Sequence, residues 1–228
     1  MDSIIRVSDV KRGFPVADGI FYALKGVNME IPKGCLTILK GRSGSGKTTL
    51  LNSLSTLDSP TEGEIFFEDR PYSMMSEKDK EALRREHIGF VFQSVALIPI
   101  MNAFENVDFS LRLADYQESH TERIEEVLGL VGMQERMLHM PNQMSGGEQQ
   151  RIAIARAVAH KPKVLFADEP TGALDTETGI KVMKLFRELI EKEGITIVMT
   201  THDPNLMELG DVVYEMEDGE LVNRTDNR

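Results

Sequence analysis

The spacing of apolar and polar residues changes period several times along this chain of 228 residues. Residues 4–7 alternate, and so do residues 27–31 after the turn-like Lys25-Gly26, which predicts strands buried on one face. Pro32-Lys33-Gly34 marks a turn, and residues 36–39 then form an apolar run that leads into a Gly/Ser-rich segment. Residues 47–56 are compatible with a helix, and residues 63–68 read as another strand. Residues 76–87 are charged and helix-prone, opened by Ser76 and Asp79 at capping-box spacing. Residues 88–92 are a short apolar run of the buried-strand type.

From about Ala103 to Gln143 the period becomes helical. Leu111, Leu113, Ile124, Val127, Leu128, Leu130 and Val131 recur at that spacing, and turn residues are few until Pro141, which predicts two or three helices. After Lys161-Pro162 the alternating character returns, with a buried strand at 164–167, an amphipathic helix at 178–193 and a second buried strand at 195–199. Residues 212–216 and 220–222 flank Asp218-Gly219, a two-residue hairpin signal. Residues 224–228 are expected to be loose. The expected fold class is α/β: a parallel or mixed sheet core, a β-rich N-terminal part and an inserted helical lobe.

Apolar residues make up 41% of the chain, enough for a core, and the single cysteine, Cys35, is expected to be a small buried hydrophobe. The net charge of −11 and the lack of a Lys/Arg tract speak against a nucleic-acid partner. No run approaches the roughly 18 apolar residues of a membrane span, and no basic start precedes an apolar run as in a signal peptide. The expectation is a soluble protein of the cytoplasm, with any membrane role exerted through a partner.

Candidate chemistry begins at the Gly/Ser segment. Gly41, Arg42, Ser43, Gly44, Ser45, Gly46, Lys47 and Thr48 complete a G-x-x-x-x-G-K-[S/T] phosphate loop in strand–loop–helix context, followed by Thr49. Its glycines let N–H groups surround an anion, and the following helix points its N-terminal dipole there. Lys47 is expected to reach the terminal phosphates and the Thr48 hydroxyl to ligate Mg²⁺. Residues 164–167 end in Asp168 and Glu169. Parallel strands deliver such carboxylates to the site mouth, Asp168 for Mg²⁺ and Glu169 as base or orienter for an attacking water. Gln93 and His202 follow two other apolar strands and are expected to converge on the γ-phosphate, with Gln93 able to bind the metal or the water. Ser145-Gly146-Gly147-Glu148 opens a helix, with Ser145 as N-cap and Glu148 closing a capping box. Two glycines there disfavour the helix but allow close approach, so this is either a second anion site or a Gly-rich turn opening a helix. Two phosphate-binding features in one chain make sense if two copies share each nucleotide.

The chain resembles the ATP-binding cassette (ABC) ATPases over nearly its full length. Gly41 to Thr48 matches the Walker A loop, Gln93 the Q-loop glutamine, Met144 to Glu148 the signature, and residues 164–168 Walker B with Glu169 at the catalytic glutamate. Ala173-Leu174-Asp175 matches the D-loop and His202 the switch histidine. Residues 167–175 and Asn142-Gln143 look like the branch of macrolide-export (MacB), lipoprotein-releasing (LolD) and cell-division (FtsE) ATPases and the antimicrobial-peptide resistance transporters. The resemblance implies a single P-loop NTPase domain over residues 1–228, with residues 1–93 and 160–228 as core and about 94–159 as the signature lobe. It implies a head-to-tail dimer holding two ATP with Mg²⁺, each ATP touching Walker A of one copy and Ser145, Gly146 and Gly147 of the other, with Glu148 and Asp175 nearby. It also implies an aromatic ring on the adenine, for which Phe14 fits by position and Tyr22 is the second candidate; either ring could equally be core.

Three residues depart from the branch. Arg42 replaces a small residue or proline and either adds a cation near the phosphates or points to solvent. Met144 replaces Leu, and Glu148 replaces Gln, which puts a carboxylate near the partner's nucleotide. The function implied is an ATPase that powers a separate membrane permease from the cytoplasmic face. The alternative is an FtsE-like ATPase that transmits a signal without moving a solute. Ile98, Pro99, Ile100, Met101 and Phe104 form an apolar cluster that is either core or a docking groove for the membrane partner.

Overall fold

A computed structural model describes residues 2–17, 19–172 and 174–227. Strands β1 (Ser3–Val16) and β2 (Gly19–Pro32) pair antiparallel, and β4 (Glu62–Phe67) and β5 (Arg70–Pro71) extend them into a four-stranded sheet in the order β2-β1-β4-β5. The second sheet holds β3 (Leu36–Lys40), β6 (Ile88–Val91), β7 (Val164–Ala167), β8 (Thr196–Thr201), β9 (Val212–Glu217) and β10 (Glu220–Asp226). Its order is β10-β9-β3-β8-β7-β6, parallel throughout except for the β9–β10 hairpin. The helices are α1 (Lys47–Leu54), α2 (Glu77–His87), α3 (Ala103–Leu113), α4 (His120–Leu130), α5 (Gly146–Val158), α6 (Thr176–Glu193) and α7 (Pro204–Met207).

Both faces of the six-stranded sheet are covered, which explains why its strands read as continuous apolar runs. Successive side chains of each strand leave on opposite faces. Leu36, Ile38, Leu165, Ala167, Ile197 and Met199 join a core with α3, α4, α5 and α6. Leu39, Val164, Phe166 and Val198 join a second core with α1 and the antiparallel sheet. Burying one such aliphatic or aromatic side chain stabilises the fold by roughly 1.5–3 kcal/mol.

The predicted elements are present with shifted bounds. The Ser76/Asp79 capping box is formed, and a second one, Asn102 with Glu105, opens α3. The helical stretch divides into α3 and α4, followed by two short 3₁₀ turns before α5. The expected loose tail is a correction: Arg224, Thr225 and Asp226 pair with Tyr214, Val213 and Val212, so a sheet edge orders them. Arg228 and Ala173 lie outside the described residues. Cys35 is buried as expected. The apolar cluster splits: Phe104 packs against the core, whereas Ile100 is 81% exposed.

Candidate functional site

Four parallel strands bring the site together at their C-terminal ends. β3 leads into the phosphate loop, β8 into His202, β7 into Asp168 and Glu169, and β6 towards Gln93. Because β3, β8, β7 and β6 are adjacent in that order, residues far apart in sequence share one edge.

The loop needs its glycines. A side chain at Gly41 would meet the Met216 carbonyl oxygen at 2.4 Å, and one at Gly46, where φ is +104°, would meet the Ala23 carbonyl oxygen at 2.6 Å. Lys47 is buried and its Nζ donates to the Gly41 and Arg42 carbonyls at 2.8 and 2.9 Å. The Ser45 hydroxyl is buried with no hydrogen-bond partner among the described residues. A buried hydroxyl without a partner is costly, and an anion bound over the loop would supply an acceptor. Arg42 is exposed beside Ser43 and Gly44.

At the mouth, the Thr48 hydroxyl donates to the Asp168 carboxylate at 3.0 Å, and Thr200 Oγ1 donates to the same carboxylate at 2.7 Å. The Glu169 amide donates to Thr200 Oγ1 at 2.8 Å, so one threonine fixes both acids. Sequence reasoning did not single out Thr200; its place at the buried end of β8 is the signal. Glu169 itself sits at φ 44°, a conformation that costs about 1–3 kcal/mol outside glycine. Its Oε2 accepts from Gln93 Nε2 at 3.3 Å and lies 3.4 Å from His202 Nδ1. Gln93 and His202 therefore meet at the Glu169 carboxylate.

A cavity of about 680 Å³ joins these groups, lined by Phe14, Phe21, Ala23, Arg42, Ser43, Gly44, Gly46, Lys47, Thr48, Thr49, Gln93, Glu169 and His202. Phe14, the ring expected at the adenine, lines this cavity. Tyr22 is not on this wall: Phe14 pairs with Phe21 across the β1–β2 ladder, and the next residue of a strand faces the other way. The second aromatic lining this cavity is Phe21, as the strand register places it.

Ser145, Gly146, Gly147 and Glu148 open α5 apart from this cavity. Glu148 Oε2 accepts from the Ser145 amide and hydroxyl at 2.8 and 2.9 Å, and Arg136 stands 3.4 Å from its other oxygen. The Ser145 donors, and more weakly Arg136, hold the Glu148 carboxyl below its usual range. A side chain at Gly147 would meet Thr178 Cγ2 at 2.9 Å. Thr178 is bound in turn by Asp175, the N-cap of α6, at 3.0 and 2.7 Å. Asp175 and Glu169 line a further cavity of about 350 Å³ with His202.

A phosphate loop, an acid pair at a strand end and an apolar ring beside them define a nucleoside-triphosphate site. The family model for ABC transporters matches residues 24–172. An ABC transporter ATP-binding protein of Methanocaldococcus jannaschii, MJ0796, is 43% identical over 223 residues, covering 96% of this chain and 95% of that protein. A dimeric structure of that cassette superposes with a TM-score of 0.90 at 40% identity, covering 98% of this chain and 99% of the other. A post-hydrolysis dimer of the same cassette, bound to ADP and Pi, gives 0.91 at 38% identity and the same coverage. The macrolide export ATP-binding/permease protein MacB of Rhodopirellula baltica is 43% identical over 219 residues, which are 95% of this chain but 32% of that protein. This chain belongs to the ABC transporter family and is its ATP-binding, ATP-hydrolysing cassette. Among the described residues, no helix is long and apolar enough to cross a membrane.

Proposed function

We propose that this chain is the energy-coupling subunit of a two-component membrane system of the MacB/LolD kind, moving a lipid, lipoprotein, peptide or drug. Two copies close head to tail over two ATP molecules, and closing and reopening drive a separate permease from the cytoplasmic face. The observation that carries the reading is the meeting of Gln93, Glu169 and His202 at a cavity floored by the phosphate loop. The dimeric state of the MJ0796 cassette supports the pairing, and its ADP- and Pi-bound state supports the reaction. The joined ATP-binding and permease parts named in MacB support a permease partner.

Lys47 and the loop amides hold the β- and γ-phosphates, with Ser45 Oγ as a further donor. Glu169 takes a proton from the attacking water, which Gln93 and His202 help to position. The water oxygen bonds to the γ-phosphorus, the bond to the β–γ bridging oxygen breaks, and ADP and phosphate leave. Thr48 and Asp168 offer hard oxygen donors side by side and, with the Gln93 carbonyl, suit Mg²⁺. When bound, the ion offsets negative charge on the phosphate oxygens. Ser145, Gly146 and Gly147 of the second copy complete each site from the other side of the γ-phosphate.

The test is Glu169→Gln, which keeps shape and hydrogen bonding but removes the base. ATP turnover should fall on the order of a hundredfold or more while ATP affinity is retained. Turnover at the parent rate would exclude Glu169 as the base.

A further inference from the structure

A hairpin from the far end of the chain stands behind the phosphate loop. Between the paired residues Glu217 and Glu220, Asp218 and Gly219 make a two-residue turn with φ of 45° and 87°. Both central residues are left-handed, as a type I′ turn requires. The Gly219 amide donates to the Ser45 carbonyl at 3.0 Å, and the Gly219 carbonyl accepts from the Lys25 amide at 2.9 Å. One turn residue thus ties the phosphate loop to β2. There is no room for a side chain on it, since a Cβ at Gly219 would meet the Ala23 carbonyl oxygen at 2.7 Å.

The loop's own glycines answer to the same hairpin. A side chain at Gly41 would strike the Met216 backbone, and one at Gly46 would come within 3.0 Å of the Met216 methyl group. Met216 is fully buried in the strand that leads into the turn, so this wall is fixed. Gly41 and Gly46 are therefore required by the hairpin as well as by an anion.

The Gly219–Ser45 hydrogen bond also sets a direction. In a trans peptide the C=O of one residue and the N–H of the next point opposite ways. With the Ser45 carbonyl turned to Gly219, the Gly46 amide faces away from the hairpin. Gly46 lines the cavity of about 680 Å³ with Lys47 and Thr48, and its amide has no acceptor among the described residues. Met216 and Asp218 line a separate cavity of about 630 Å³.

We infer that Gly219 is a positioning residue for phosphate binding: its amide holds the Ser45 carbonyl and so aims the Gly46 amide at the phosphates of the nucleotide. This rests on the ATP reading above. Gly219 touches no part of the nucleotide and acts only through the Ser45–Gly46 peptide.

Two altered chains separate the amide from the rest of the turn. Gly219→Ala sets a methyl group against the Ala23 carbonyl and should draw the turn off Ser45. An ester at position 219, which exchanges the Gly219 N–H for oxygen, removes the donor and leaves every side chain in place. Calorimetric titration of the full chain with ATP and with inorganic triphosphate reads the phosphate contacts apart from the base. Both alterations should weaken the two ligands by the same factor, about threefold to tenfold. In NMR spectra of the parent, the Gly46 amide proton should move downfield when inorganic triphosphate binds, and it should move less in the ester form. Parent-like affinities and a parent-like Gly46 shift, with only the unfolding midpoint lowered, would make the turn purely structural and overturn the inference. So would weakening of ATP alone, which would place the effect at Ala23 and the base. Failure of the parent chain to bind ATP at all would instead overturn the nucleotide reading on which the inference stands.

Discussion

Glu169 is the residue where structure and chemistry press hardest on one another. It takes up a left-handed backbone at the end of a fully buried strand, and its carboxylate meets Gln93 and His202. The surroundings that hold it there run through Thr200, whose hydroxyl serves the Asp168 carboxylate and the Glu169 amide at once. Thr200→Val keeps the shape but leaves the Glu169 amide without its acceptor and the Asp168 carboxylate with Thr48 as donor, so it should cost about 1–3 kcal/mol in denaturant unfolding and lower kcat. Unchanged stability would show that water replaces the hydroxyl. Much of this was legible at the residue level, because the phosphate loop, the acids after an apolar run and the strand-end Gln93 and His202 are written in contiguous letters. Phe21 was not, because which of Phe21 and Tyr22 faces the cavity depends on strand register, and register is a property of two strands.

At the scale of elements, the helices owe their placement to a few buried polar contacts as well as to apolar faces. Arg123 of α4 is the clearest case. Its side chain is buried and donates to the Val158 and Ala159 carbonyls at the C-terminal end of α5, at 3.2 and 2.9 Å, and to both carboxylate oxygens of Glu193 at the end of α6, at 3.1 and 3.0 Å. A cation is favoured where helix carbonyls end, and three helices are joined by it. Arg123→Met leaves Glu193 and two carbonyl groups without their partner, and should destabilise the chain by about 3–5 kcal/mol. A loss below about 1 kcal/mol by thermal or urea unfolding would contradict that assignment. Another buried polar residue, Asn106, ties the stretch after Gln93 to α3, accepting from the Ile98 amide at 2.8 Å and donating to the Met101 carbonyl at 2.8 Å. Element types were readable from period and capping residues, but extents were not. β1 runs to Val16 through register shifts around Asp9, which sits at φ 48°, and such bulges erase the alternation that marks a strand. The tail at Arg224 to Asp226 looked loose because its order comes from β9, a neighbour that composition does not reveal.

For the molecule as a whole, two consequences can be measured. The first is stability against pH. His160 follows α5 with Nε2 against the Ile88 carbonyl at 3.2 Å, so that nitrogen carries the proton and Nδ1 is buried without a partner. Burial first, then the nearby His87 and Arg123 charges, outweigh the Ile88 contact and push the imidazole down to about 4 from 6.5. Between those values the unfolded chain binds a proton that the folded chain refuses, so stability rises with pH across this window. The contribution is complete above the unfolded value and is lost as pH falls towards 4, by up to about 3 kcal/mol. His160→Gln should flatten unfolding free energy between pH 6.5 and 4; an unchanged slope would assign the window to other groups.

The second consequence is the pairing of copies, and the central claim stands on it: one chain supplies the phosphate loop and Glu169, while Ser145 belongs to the site of the other. The most direct measurement is the solution mass of Glu169→Gln with and without ATP, alone and combined with Ser145→Ala. The account predicts a 25.6 kDa chain without nucleotide, a species of twice that mass with ATP, and loss of that species in the double variant while ATP binding to the single chain persists. A Glu169→Gln chain that binds ATP and stays at 25.6 kDa, or a dimer indifferent to Ser145→Ala, would contradict it.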